Sequence, residues 1–365
     1  MKTSDSVKNE EIQALEAVTI LLSRIPDLEI DAAEEEGLFG PDRGIDAKVD
    51  LRHGDKGYTL IIEYKRSGQP RHTRSAIYQL RNYLAHYDGP AFNRNLIPML
   101  VAPYLSPEAR AMCDEHRVAY LDLFGNARLA FNGVYIDRAV ADKPKSEVRA
   151  LRSIFTPKAA AILRVMFREP HEAWRVTELA EQADVSLGHV SNVRKALLER
   201  EWIEESGDGV TLVKPRALLE SWRENYRRPL GKRINCYTHL HGQQLNERLK
   251  NVLNPHSNRP QAIYALHSAA EWLAPYSRKS NHSFYADIHG ADALHVALDL
   301  SPAARGSNVF IQIPRDDGVF KDAIEPAPGI FCTSAIQTYL DLWIGNDRDK
   351  EAAEFLREER LSWLQ

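Results

Sequence analysis

Two short helical segments separated by a three-residue turn, then two strand-like pieces about a glycine-rich turn, occupy residues 177–213. Few packings satisfy that order in so short a span. Thr177 is placed to cap a helix over ELAEQA, with Leu179 and Ala180 facing inward. Asp184-Val185-Ser186 makes the turn, and Ser186 caps the next helix, which begins at Leu187. On that helix Leu187, Val190, Val193 and Leu197 fall three or four residues apart and form a buried stripe. His189, Ser191, Asn192 and Lys195 then face outward, with Arg194 at the margin. Asn bonds adenine in two places, Lys and Arg address guanine or phosphate, and Ser does either, so this face suits the edges of bases. Trp202-Ile203 opens a strand, Gly207-Asp208-Gly209 tolerates the positive φ of a hairpin turn, and Val210 to Val213 returns. Upstream, Thr156-Pro157 starts a helix through Ala160, Leu163 and Phe167, with proline where no backbone donor is lost. The order predicts a winged helix-turn-helix, whose usual work is holding duplex DNA, with the wing on the DNA backbone. A helical hairpin and β-hairpin used for packing or dimer contacts is the alternative.

The rest of the chain sets the context for that segment. At 365 residues it is long enough for two or three domains, each with its own core. A formal charge of -4 excludes a uniformly basic coat, so nucleic-acid binding has to come from a local patch. Residues 151–235 carry 15 Lys and Arg against 12 Asp and Glu, whereas residues 1–150 carry 20 against 23, so the middle is the basic part. Cys113, Cys236 and Cys332 have neither CxxC nor His spacing, which speaks for a reducing compartment, for buried apolar roles and against zinc. The polar, acidic start and the absence of a membrane-length apolar run lead to the expectation of a cytoplasmic protein without a membrane partner.

Along the chain, Ile12, Leu15, Val18 and Leu22 keep helical spacing over 10–25, and an acidic, Gly-punctuated loop follows. Ile45–Leu51 and Tyr58–Tyr64 read as the strands of a hairpin around His53-Gly54-Asp55-Lys56-Gly57. Ser75–Ala85 reads as helix, Leu96–Ala102 as a buried strand, Ser106–Glu115 as a capped helix, and Val118–Leu123 and Ala127–Phe131 as strands. Tyr120–Ala127, with Asp122 and Gly125-Asn126, reads as structural punctuation. Val140–Ser146 links to the winged segment, and after the wing a helix carries Leu218, Trp222 and Tyr226. Farther on, AIYAL, SFYADI, LHVAL and VFIQI look strand-like, and helices run over 334–342 and 350–361. Ser268 lacks the partners of a nucleophile, so packing is its expected role.

The sharpest chemical constellation is Asp46, then Glu63-Tyr64-Lys65, then Gln79 and Tyr83. Strand alternation puts Glu63 and Lys65 on one face, while Asp46 enters from the neighbouring strand. Two carboxylates and a backbone carbonyl make a hard oxygen site suited to magnesium, in which Lys65 orients a nucleophile or stabilises developing charge. Gln79 and Tyr83, one helical turn apart, then steady the strand being cut. Asp50 competes for the role of first carboxylate, but Gly44 and the strand-start position favour Asp46. Arg66, Arg71, His72 and Arg74 follow the ExK and read equally as phosphate contacts or as a solvated loop. A surface Glu–Lys pair on an exposed sheet face is the bland alternative. These residues, with Gly44-Ile45-Asp46 and Gln79-x-x-x-Tyr83, resemble the PD-(D/E)xK restriction-endonuclease-like superfamily in its RecB-type arrangement, over residues 10–138. The resemblance implies a magnesium-dependent nuclease in which Asp46 and Glu63 hold the metal, or the same fold kept as a scaffold without cutting.

Trp222 with Tyr226, the segment SAIQTYLDL (334–342) and EAAEFLR (351–357) resemble the AbiEi-like antitoxins of type IV toxin–antitoxin systems, over residues 155–365. That resemblance implies a DNA-binding autoregulator, a nucleotidyltransferase-like toxin as protein partner and a winged helix ahead of an α/β domain. The nuclease-like front sets this chain apart from the simplest members. The expected architecture is α/β in the multi-domain α+β sense. It comprises a restriction-endonuclease-like mixed sheet with flanking helices in residues 1–145, a winged helix-turn-helix in 150–230 and an α/β domain in 235–365. The expected partners are double-stranded DNA, the toxin and a second copy in a homodimer. Magnesium is expected only where the carboxylate site is active.

Overall fold

A computed structural model of the protein describes residues 2–35, 46–85, 95–253, 260–276, 280–303 and 305–364. The chain is mixed α/β, with two mixed seven-stranded sheets and a two-stranded hairpin. It divides into two compact units, Met1–Arg149 with Ala196–Glu201, and Ala150–Lys195 with Trp202–Gln365. Among the described residues no helix is long and apolar enough to cross a membrane.

The first unit is built as α1 (Lys2–Leu22), β1 (Leu28–Glu35), β2 (Ala47–His53), β3 (Lys56–Tyr64), α2 (Pro70–Ala85), β4 (Asn95–Ala102), α3 (Pro107–Glu115), β5 (Ala119–Asp122), β6 (Ala127–Phe131) and β7 (Val134–Arg138). The strands lie side by side in sequence order. Pairing is antiparallel from β1 to β3, parallel from β3 to β5 and antiparallel again to β7. β3 is buried on both faces, which is why it reads as a near-continuous apolar run. Leu60, Ile62 and Tyr64 meet Val18, Leu21 and Leu22 of α1 on one face. Ile61 meets Ala76, Ile77 and Leu80 of α2 on the other. Pro98 sits in β4 where that strand pairs with β3 alone; pairing with β5 starts one residue later, at Met99, so the missing proline donor leaves no gap in the ladder.

Two expectations fail here. The acidic stretch after α1 is not wholly loop, because LEIDAAEE forms edge strand β1 on β2, its charged side chains tolerated by the edge position. The segment after the ExK is not wholly loop either, because Pro70 opens α2 and places Arg71, His72 and Arg74 in its first turns. Asp122 bears out its reading as punctuation. Its carboxylate accepts from the backbone N–H groups of Gly125, Asn126 and Leu105 at 2.8–2.9 Å, closing the turn after β5.

Next come α4 (Lys145–Ile154), α5 (Pro157–Arg168), α6 (Val176–Ala183), α7 (Leu187–Glu199), the hairpin β8 (Ile203–Glu205) and β9 (Val210–Leu212), and α8 (Pro215–Asn225). α4 takes up the end of the stretch read as a link. In the second unit, Phe155, Phe167 and Trp222 stack with ring centroids about 6 Å apart and anchor α8 beneath α5. Trp174 bridges to Val210 and adds a short third strand to the hairpin. At Gly209 (φ +147°) a Cβ would lie 2.5 Å from the Trp174 carbonyl oxygen, so the wing accepts only glycine at that position.

The remainder is β10 (Gly231–Tyr237), α9 (Gly242–Leu253), β11 (Ala262–Tyr264), α10 (Leu266–Leu273), β12 (His282–Ala286), α11 (Ile288–Ala297), β13 (Ser301–Pro302), β14 (Val309–Pro314), α12 (Gly318–Lys321), β15 (Ile324–Ala327), β16 (Ile330–Cys332), α13 (Ala335–Trp343) and α14 (Asp347–Arg360). The sheet order is β13-β10-β14-β12-β11-β16-β15. LHVAL, expected as a strand, belongs to α11: Leu294 and Leu298 pack into the core with Leu245 and Leu249 of α9, so a short apolar run took helical periodicity from its partner. The three cysteines are free and buried.

Candidate functional site

The winged segment keeps its predicted order and changes in detail. α6 starts at Val176, one residue before Thr177, so Thr177 is not the cap. Instead the Glu178 side chain accepts from the Arg175 backbone N–H at 2.9 Å, closing the helix from its third position. Thr156 does precede α5, yet its hydroxyl donates to the Ser153 carbonyl rather than capping. The turn is as expected: Asp184 is left-handed (φ 52°) and Ser186 Oγ accepts from the His189 N–H at 3.3 Å.

On α7, Val190, Val193 and Leu197 are buried, while Leu187 is 53% exposed and does not belong to the buried stripe. As the first residue of the helix, it lies before the turn that packs. Leu187, Gly188, Ser191, Asn192 and Lys195 therefore form one exposed face. Ser191 Oγ donates back to the Leu187 carbonyl at 2.9 Å, leaving its lone pairs outward. His189 is half-buried, with Nε2 enclosed and unpartnered, so it is less outward than expected. Arg194 reaches the wing and pairs with Glu205 at 2.8 Å. The wing itself exposes Glu204, Glu205 and Asp208, carboxylates that repel phosphate. Sequence reasoning passed over Leu187 and Gly188 as surface because a leucine at helical spacing reads as core.

In the first unit, β2, β3 and α2 bring four of the five expected carboxylate-site residues together. Asp46 Oδ2 accepts from the Tyr64 backbone N–H at 2.6 Å, just ahead of the register that pairs Ala47 with Ile62. Glu63 is buried, and Lys65 Nζ donates to Glu63 Oε1 at 2.5 Å and to Gln79 Oε1 at 2.7 Å. Tyr83, one turn farther along α2, packs half-buried against the core on that face. Asp50 accepts from Thr59 at 2.6 Å, four residues back along β3 from Glu63, so the structure separates it from the site. Gly44 and Ile45 lie outside the described residues. Arg66 pairs with Glu10 of α1 at 3.0 Å and Arg74 with Glu201 at 2.7 Å, so neither faces the carboxylates as an uncompensated cation.

Burial, and then the like charge of Asp46, push Glu63 up to about 7. Burial also raises Asp46, against the pull of the Tyr64 N–H and of Lys65. Glu11 of α1 adds a smaller negative field at Glu63. The sequence offered no signal for it beyond a polar position at the start of an amphipathic helix. Among the described residues no group of three or more His, Cys, Asp or Glu side chains gathers to hold a metal. Magnesium needs only one or two protein carboxylates when phosphate and water complete its shell, so this pair, raised because its charge is undercompensated, fits that ion.

The segment 334–342 is not a simple amphipathic stripe, since its polar face is buried as well: Gln337, Thr338 and Asp341 are all at or below 1% exposure. Asp341 accepts from the Tyr226 hydroxyl at 2.6 Å and from the Tyr285 hydroxyl at 3.0 Å. Gln337 donates to Tyr226 at 2.7 Å and accepts from Arg164 at 2.8 Å. One connected network thus joins α5, the chain after α8, β12 and α13.

Residues 211–362 match the family model described as transcriptional regulator, AbiEi antitoxin, type IV TA system. No curated protein matches the chain. A solved structure described as EndoMS in apo form is similar over 30% of this chain and 45% of that one, less than half its length, at 16% identity and a TM-score of 0.21. So low a score carries no argument about the first unit.

Proposed function

We propose that the protein is a DNA-binding transcriptional regulator of the antitoxin type that reads duplex DNA with α7. The observation that carries the reading is the exposed face of Ser191, Asn192 and Lys195 on a helix begun by the Ser186 cap, and the regulator family model over 211–362 supports it. Asn192 addresses an adenine edge and Lys195 a guanine or phosphate. Leu187 offers the apolar contact a thymine methyl takes. Arg194 spends its charge on Glu205, and the acidic wing is turned from the backbone role expected of it, so α7 carries recognition. A type IV toxin is the protein partner this reading implies, and a homodimer would match a two-fold operator. Gel-shift titration on the DNA upstream of its own coding sequence tests it. Asn192→Ala with Lys195→Ala should weaken binding, and Lys195→Ala alone should reduce the salt slope by about 1. Unchanged affinity and slope would remove the assignment.

A second reading, a magnesium-dependent DNA nuclease targeted by the winged helix, is favoured by one observation: two buried carboxylates with raised proton affinity lie beside a lysine. Asp46 and Glu63 would hold the ion, which supplies an activated water and charge neutralisation at a phosphodiester. Lys65 holds its ammonium between Glu63 and Gln79, placed to orient the nucleophile or to stabilise negative charge developing on phosphate oxygens. Tyr83 then lies along the path of the bound strand. Purified protein with magnesium should cut DNA, and Lys65→Ala or Glu63→Ala should abolish cutting without unfolding. Intact linear, supercoiled and single-stranded DNA would refute this second reading and leave the first standing.

A further inference from the structure

A cavity of about 420 Å³ in the second unit lies between α5, the α12–β15 connection, the start of α13 and the chain end. Its volume is that of a small-ligand site. Arg164 and Arg168 line it from α5, and Ser334, Ala335 and Ile336 from the start of α13, where the first backbone N–H groups lie ahead of intrahelical bonding. The helix end is not the sole sign. Arg164 is 8% exposed, and although one terminal nitrogen donates to Gln337, its Nε is enclosed without a hydrogen-bond partner. An unpartnered guanidinium N–H so deeply buried is costly unless an acceptor arrives. Phe167 and Trp363, 5.8 Å apart between ring centroids, supply an aromatic wall. Asp322, buried at 8% exposure and already accepting from Arg168 at 3.3 Å, is an acceptor for a ligand hydroxyl or amine. Lys321 contributes least, because it is committed to Asp184 at 2.7 Å.

We propose that this cavity binds a small phosphorylated ligand with a planar ring, a nucleoside monophosphate, its phosphate on Arg164, Arg168 and the α13 amides and its ring against Trp363 and Phe167. The assignment stands independently of whether α7 reads DNA. Calorimetric titration of the full chain with the ribonucleoside 5′-monophosphates, with adenosine and with inorganic phosphate tests it. Saturable binding of a monophosphate, about tenfold or more tighter than either fragment, is expected. Arg168→Gln, at an arginine half exposed and outside the buried network, should weaken that binding about tenfold while the melting temperature holds. Trp363→Leu should reduce the preference for nucleotide over phosphate. No saturable heat with any monophosphate at millimolar concentration overturns the proposal, as does undiminished binding by Arg168→Gln. Equal binding of phosphate and nucleotide overturns the ring contact.

Discussion

Glu63→Gln isolates the unusual electrostatics of the first unit. In the folded chain Glu63 titrates at about 7, against an ordinary value of 4.5. Between those two pH values the folded state keeps a proton that the unfolded state has released. The folded state binds more protons there, so stability falls as pH rises through the window from about 4.5 to 7. At about 1.4 kcal/mol per pH unit, the ionised Glu63 costs about 3 kcal/mol in full, of which about 2 to 3 kcal/mol accrues between pH 5 and pH 8. Glutamine keeps the size and hydrogen-bonding capacity of the protonated acid and has no such slope. Urea unfolding of both proteins at pH 5, 6, 7 and 8, followed by circular dichroism, reads the difference. The stability of Glu63→Gln relative to the parent should climb by about 2 to 3 kcal/mol from pH 5 to pH 8. Parallel curves would refute the account, because they would mean that Lys65 already compensates the charge.

If Asp46 and Glu63 share a divalent ion, millimolar magnesium should raise the parent's melting temperature at pH 8, do so less at pH 5, and leave Glu63→Gln nearly unmoved in thermal scans. Asp341→Ala leaves the buried hydroxyls of Tyr226 and Tyr285 without their acceptor and should cost about 3 kcal/mol or more, seen as a drop of about 10 °C in the melting of the second unit. Cys113, Cys236 and Cys332 are buried and burial raises all three thiols, so a thiol reagent should modify none of them rapidly in native protein at pH 8 and all three in urea.

Much of the molecule is written in local periodicity and punctuation. The helix-turn-helix with its wing, the hairpin of β2 and β3, the Ser106 cap and the β4 run can all be read from residues close together in the chain. Each depends on interactions spanning only a few residues, which a sequence carries on its face. The proximity of Asp46, Glu63, Lys65 and Gln79 was legible for the same reason, since strand alternation and one hairpin register suffice to bring them together. What the sequence could not decide depended on partners far along the chain. LEIDAAEE became an edge strand because β2 offered it a ladder, and LHVAL became helix because α9 and the sheet needed a cover. Leu187 turned outward because the packing of α7 begins one turn later. The polar face of α13 is buried because Tyr226, Tyr285 and Arg164 converge on it from positions 56 to 173 residues away. The elevated proton affinity of Glu63 belongs to the same class. Its identity is in the sequence, but its burial under α2 and its nearness to Asp46 exist only in the fold, and desolvation is a property of the surroundings rather than of the residue.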